Sequence, residues 1–187
     1  TLVQALAASV LLILLPLGAI ARRTEAGARP ALSAARVATY FVAIGFAFMF
    51  VEIAFIQKFL LLLTHPLYAV AVVLCSFLLF AGMGSRYSGR LRTDDANPFR
   101  RPVTRAVAAI GAFSLIYLVV LPALFRLLMP LPDALKIPLS IVLIAPLAFA
   151  MGMPFPLGLA RTAGRAASLV PWAWGVNGCA SVVAAIL

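Results

Sequence analysis

Long apolar runs and short polar stretches alternate along the whole chain. A membrane-spanning helix needs about 20 mostly apolar residues, and each run approaches or reaches that length. The pattern therefore predicts an all-α protein, a polytopic transmembrane bundle of about six helices. Their predicted ranges are about 2–20, 37–58, 67–83, 106–125, 137–151 and 168–187.

Glycine and proline mark most of the predicted helix ends. His65 precedes Pro66, and a residue before proline avoids helical geometry, so a turn is predicted there. Gly84 and its neighbours in 82–85 predict the exit of the third helix, with a polar, basic loop over 84–105. The fifth helix is predicted to break within 152–156. Pro171 suits the first turn of the last helix.

The basic residues predict the orientation of the bundle. If the N-terminus faces outside, twelve of the 15 Lys and Arg residues fall in the inner loops. An excess of Lys and Arg on the cytoplasmic side fixes membrane topology, so both ends of the chain are predicted to face outside. The inner residues are Arg22, Arg23, Arg29, Arg36, Arg86, Arg90, Arg92, Arg100, Arg101, Arg105, Arg161 and Arg165; the outer ones are Lys58, Arg126 and Lys136.

Composition supports a membrane location and argues against nucleic acid as a partner. Of the 187 residues, 65% are hydrophobic and 11% are charged, whereas a soluble domain has about 25% charged residues. The net charge of +10 comes from arginines in short segments between apolar runs, which fits membrane orientation better than phosphate binding. We therefore expect the lipid bilayer as a partner, and no nucleic acid.

The two ends of the chain and its cysteines give further expectations. The chain begins at Thr1 and ends within an apolar run, so we expect it to be a piece of a longer polypeptide. The run 2–20 lacks a basic leading segment and is predicted to span the membrane rather than to be a signal peptide. Cys75 and Cys179 lie far apart in apolar runs and are predicted to be small buried hydrophobes.

One acid is out of place. Glu52 lies inside the second predicted helix, where an acid costs about 2.5 to 3.5 kcal/mol on insertion scales. The other acids fall in predicted loops: Glu25, Asp94, Asp95 and Asp133. Glu52 is either a proton, cation or ligand site or a hydrogen-bonded peg between helices, with Gln57, His65, Tyr117 or Asn177 as its partner. Gly45 shares its helix face and predicts a close helix approach.

The remaining polar residues do not form a recognisable active site. His65, the only histidine, would lie about 20 Å from Glu52 along a straight helix, too far to act with it as an acid–base pair. Asn177 follows two tryptophans typical of a membrane interface and is predicted to hydrogen-bond across helices. No catalytic, cofactor-binding or metal-binding residue is predicted. Glu52, Gln57, His65 and Asn177 are the intramembrane polar candidates.

Three segments carry a family resemblance: Gly45–Phe59 continuing through His65–Ala69 to Gly82–Ser85, then Met151–Gly158, then Pro171–Gly178 with Ser181–Val183. In this order they resemble the membrane part of bacterial membrane-bound spermidine-synthase-like proteins. The resemblance implies a multi-pass protein of the bacterial inner (plasma) membrane. It also implies a soluble aminopropyltransferase-like domain of methyltransferase fold elsewhere on the polypeptide.

The resemblance leaves three functions open. The chain anchors or handles substrate for that soluble domain, or it is a non-catalytic accessory subunit of a larger, energy-converting membrane complex, or it carries a polyamine or cation past Glu52. Small residues along the helices allow close packing against other membrane helices in each case. None of the family's catalytic residues falls in this chain, so none is transferred to it.

Overall fold

The computed structural model describes residues 34–91 and 100–187. Over these residues the protein is all-helical, with 90% of them in helices and no β-strand. The helices are α1 Ala34–Phe59, α2 Pro66–Arg90, α3 Arg100–Leu128, α4 Asp133–Met151, α5 Pro154–Arg165 and α6 Val170–Ile186. A 3-10 turn at Ala167–Leu169 precedes α6. The predicted helix over 2–20 lies outside the described residues.

Five segments in the described part of the chain are helical, long and apolar enough to cross a membrane. They are Ala34–Phe59, Pro66–Arg90, Pro102–Leu128, Asp133–Arg165 and Ala167–Ile186. A turn at Gly152 and Met153 interrupts the fourth segment, which therefore comprises α4 and α5. In α3, only 6% of the most apolar stretch is buried within the protein. These features are compatible with a multi-pass membrane protein that contacts lipid.

Proline sets several helix starts where the sequence predicts them. His65 has an extended backbone, with φ −111° and ψ 125°, and Pro66 begins α2. Pro171 lies in the first turn of α6. A proline in the first turn lacks only an N–H that has no partner within the helix in any case, so it does not disturb the helix. The predicted turn, break and helix start are confirmed at these positions.

The predicted exit of the third helix at 82–85 is wrong. Helix α2 continues through Gly84 to Arg90, and α3 already begins at Arg100, so much of the predicted loop 84–105 is helical. A glycine inside a helix costs about 1 kcal/mol relative to alanine, which packing can offset. Gly84 is buried against α4, and this contact explains why a glycine lies within the helix rather than at its end.

The stretch after the break at Gly152 also differs from the prediction. Residues Pro154–Arg165 form α5, whereas the sequence predicts a break followed by a loop. Pro154 and Pro156 both lie in the first turn of α5, where proline is compatible with a helix. Arg161 and Arg165 therefore lie on a helix and not in a loop.

The described chain divides into two compact units. The first unit comprises residues 34–50 and 158–187, and the second is Val51–Leu157 except for 92–99. That the whole chain forms one transmembrane domain stays a prediction.

In the second unit, α4 packs against both α2 and α3. Aromatic rings connect α1 to two of these helices: Phe55 lies 5.6 Å from Phe77 of α2 and 5.7 Å from Tyr117 of α3, between ring centroids. Phe59 and Phe125 are 5.2 Å apart and nearly perpendicular. Edge-to-face pairs of this kind are favourable. These contacts hold α1 and α3 side by side. The two helices are parallel, because Phe55 faces Tyr117 and the later Phe59 faces the later Phe125.

Two glycines bring α2 and α4 into backbone contact. A Cβ atom at Gly84 would overlap the carbonyl oxygen of Phe149, and one at Gly152 would overlap the carbonyl oxygen of Ala81. The two contacts are reciprocal, because one glycine and one carbonyl come from α2 and the others from the end of α4 and the turn after it. Small residues at such crossings let helices approach closely in membranes, where packing replaces the hydrophobic effect as the main driving force.

In the first unit, the buried side of α6 is formed by small residues at helical spacing: Ala173, Val176, Ala180 and Ala184. Gly45 of α1 lies against this side, where an added Cβ would be 2.8 Å from the carbonyl oxygen of Asn177. The predicted close approach at Gly45 is confirmed. A Cβ at Gly158 would likewise overlap the ring of Tyr40.

Candidate functional site

Glu52 lies on α1 within the second unit, and only 6% of the residue is exposed. Among the residues that the structure describes, none hydrogen-bonds to its carboxyl group. Whether Glu52 is a proton, cation or ligand site or a hydrogen-bonded peg between helices stays a prediction.

The partners that the sequence offers for Glu52 are engaged elsewhere or exposed. The Tyr117 hydroxyl donates to the backbone carbonyl of Leu143 on α4, and no hydrogen bond joins it to Glu52 in the described chain. Gln57 is exposed on α1.

His65 lies at the start of α2 and makes no side-chain capping bond there. Its ring contacts Tyr68 edge-on, with centroids 5.4 Å apart. Next to it, Thr64 donates a hydrogen bond of 2.9 Å to Asp133, and Asp133 pairs with Lys136 at 3.4 Å. These contacts tie the connection before α2 to the start of α4, which is a structural role.

Asn177 lies on α6 in the first unit and is half-buried. Its side-chain oxygen Oδ1 is buried and has no hydrogen-bond partner among the described residues. Its backbone carbonyl accepts a hydrogen bond of 3.0 Å from Ser181 and contacts Gly45. The predicted cross-helix hydrogen bond of the Asn177 side chain is therefore not formed within the described chain.

The structure does not assemble the candidate residues of the second unit into one site. No hydrogen bond joins Glu52, Gln57 and His65 within residues 51–91 and 100–157. In the described part of the chain, no group of three or more His, Cys, Asp and Glu side chains lies close enough to hold a metal ion. Among the described residues of the second unit, Glu52 is the buried acid.

A cleft between α1 and α3 is a feature that the sequence does not predict as a site. Its volume is about 520 Å³, within the range of pockets that bind small ligands. Phe55 and Tyr117 form part of its apolar wall, and Lys58 and Arg126 line it as well. One signal in the sequence could have indicated this cleft. Lys58 and Arg126 are two of the three basic residues on the outer side of the predicted topology.

No protein-family model, curated protein or solved structure matches this chain.

Proposed function

We propose that this chain is the membrane domain of a spermidine-synthase-like protein in a bacterial inner membrane. Six spanning helices with both ends outside would hold a soluble aminopropyltransferase-like domain, carried outside residues 1–187, at the membrane. The membrane domain would anchor that domain or handle its substrate. The proposal assigns no catalytic residue and no cofactor to this chain.

One observation carries the proposal: within the described chain, the segments of the resemblance contain glycines at which neighbouring helices approach too closely for a Cβ atom. Gly84 belongs to the first segment and contacts α4, while Gly152 belongs to the second segment and contacts α2. Gly45 of the first segment contacts Asn177 of the third. A shared pattern of glycines at helix crossings is what related membrane domains retain when they share a packing arrangement.

Glu52 gives this membrane domain a chemical feature beyond anchoring. Polyamines are cations, and an acid held inside a helix bundle favours a cation or proton as its counterpart. Within the proposal, Glu52 is the residue for handling a cationic substrate.

The second candidate function is a non-catalytic accessory subunit of a larger membrane complex. The observation that favours it is the exposed apolar surface of α3, where Leu115, Leu118 and Val119 are each at least 70% exposed. Helices of a larger complex would cover such a surface as well as lipid does. This candidate requires no soluble domain on the same polypeptide.

The intact mass of the native polypeptide, extracted from its source membrane, separates the two candidates. The spermidine-synthase-like proposal expects a mass well above the 19.8 kDa of this chain, with additional sequence before Thr1. It also expects aminopropyl transfer to a diamine by the purified polypeptide. A native mass near 19.8 kDa would refute it and favour the accessory subunit, whose partners would then be identified by co-purification.

A further inference from the structure

We propose that the cleft between α1 and α3 binds an anionic phospholipid, with its phosphate at Lys58 and Arg126 and an acyl chain along the apolar wall. The site lies wholly within the second unit and goes beyond the proposed function. It requires only that the helices lie in a bilayer.

The cleft has the polarity of an amphiphile. Most of its lining is apolar, from Val51 and Ser114 at one end towards Leu61 and Met129 at the other. The two cations that line it belong to the second of these ends, near the C-terminal ends of α1 and α3. The contact between Phe59 and Phe125, which are the chain neighbours of Lys58 and Arg126, places the two cations at the same level.

Neither cation has a counter-charge among the residues that the structure describes. Within the described chain, Lys58 and Arg126 form no ion pair and no hydrogen bond. Lys136, the third basic residue on the predicted outer side, differs because it is buried and pairs with Asp133. Of the three basic residues on the predicted outer side, the two that line the cleft therefore have no partner in the described chain. Lysine and arginine recognise phosphate by charge-assisted hydrogen bonds.

The length of the cleft fits one leaflet of a bilayer. From Val51 to Lys58 a helix rises about 10 Å, and from Ser114 to Arg126 about 18 Å. One leaflet of a typical bilayer has about 15 Å of hydrocarbon, which is half of roughly 30 Å. A phosphate at the cationic end would therefore place its acyl chain beside Phe55 and Tyr117.

The test measures lipid binding by native mass spectrometry on the full native polypeptide, stripped of lipid in a neutral detergent. Phosphatidylglycerol and phosphatidylcholine with identical acyl chains are the two probes. The wild type should bind phosphatidylglycerol more tightly, and the preference should fall as ionic strength rises, because salt screens exposed charges. Equal binding of the two lipids, or a preference that salt does not change, would overturn the proposal.

Charge variants assign the preference to the cleft. Lys58→Gln with Arg126→Gln should reduce the preference for phosphatidylglycerol by roughly fivefold for each cation removed. The matched control is Arg86→Gln with Arg105→Gln, which removes the same charge from exposed positions. Arg86 lies near the C-terminal end of α2 and Arg105 near the N-terminal end of α3, away from the cleft. The control should keep the preference within about twofold. Equal losses in both double variants would mean that only net charge matters, which contradicts the proposal.

Two further arms test the acyl chain and the source of the phosphate. Ser114→Phe fills the apolar end of the cleft and should weaken the binding of both lipids. Val119→Phe, on an exposed position of α3 that does not line the cleft, should not. Excess glycerol phosphate, which is the head group without acyl chains, should fail to displace phosphatidylglycerol. Displacement would make this a site for soluble anions and overturn the lipid proposal.

Discussion

At position 52, a carboxylic acid is 6% exposed and has no hydrogen-bond partner in the described chain. Its burial could be predicted from the sequence, because an acid within a long apolar run must avoid lipid by facing the protein or a water cavity. The lack of a hydrogen-bond partner among the described residues could not be predicted from the sequence. Which polar groups meet Glu52 depends on how each helix is rotated about its axis, and no single-residue pattern determines that rotation.

Replacing Glu52 separates its two interpretations. Glu52→Leu removes a buried polar group that no described residue satisfies. We therefore expect the free energy of unfolding in SDS titrations to stay level or to rise by about 1 kcal/mol. Glu52→Gln should leave it within about 1 kcal/mol of the wild type. The control is Gln57→Leu, at an exposed position on the same helix, and it should be close to neutral.

A loss of about 1 kcal/mol or more in Glu52→Leu, with Gln57→Leu unchanged, would show that Glu52 holds helices together as a hydrogen-bonded peg. That result would contradict its assignment to cation or proton handling.

At the scale of elements, helix identity and the helix starts marked by proline were predictable, whereas the end of α2 was not. The apolar runs of the described chain predict α1, α2, α3, α4 and α6, because each run is long enough to cross a membrane. Gly82 and Gly84 have the same local preferences, and together they predict a helix end. The structure gives them different surroundings: Gly84 touches α4, while an added Cβ at Gly82 would meet nothing within 4 Å. Tertiary contact overrides the local signal here.

The contact between α2 and α4 gives a sharp prediction with a control two residues away. Gly84→Ala places a methyl group on the backbone of Phe149 and forces the helices apart. It should destabilise the protein by about 1 to 3 kcal/mol, as overpacking does. Gly82→Ala should be neutral or stabilising by up to about 1 kcal/mol, because alanine favours helix more than glycine. Thermal unfolding in detergent measures both.

If Gly82→Ala and Gly84→Ala changed the unfolding temperature equally, helix propensity alone would explain the effect. The close crossing of α2 and α4 would then be wrong.

At the scale of the whole molecule, the distribution of arginine predicts the membrane topology. The all-helical class is confirmed for the described residues, and five of their helical segments are long and apolar enough to cross a membrane. The total of six helices and the outward-facing ends stay predictions, because the first predicted helix lies outside those residues. Charge asymmetry predicts orientation directly from sequence, since it is read during membrane insertion and does not require the packed structure.

Reporter fusions test that orientation. Alkaline phosphatase, which is active only outside the cytoplasm, should be active when fused after Leu187 or within the turn at 129–132. Green fluorescent protein fused after Arg90 should fluoresce, because that position is predicted to be cytoplasmic. The reverse pattern at all three positions would invert the topology and place Lys58 and Arg126 on the cytoplasmic side.

The reciprocal contacts of Gly84 and Gly152 also have a consequence for how this protein can change over generations. Every other amino acid carries a Cβ atom, so any missense codon at either position places an atom where a carbonyl oxygen already lies. No substitution at these two positions avoids the overlap, so we expect neither position to accept neutral substitutions. Substitutions at the exposed apolar residues of α3 meet no such overlap, while the crossing of α2 and α4 stays fixed.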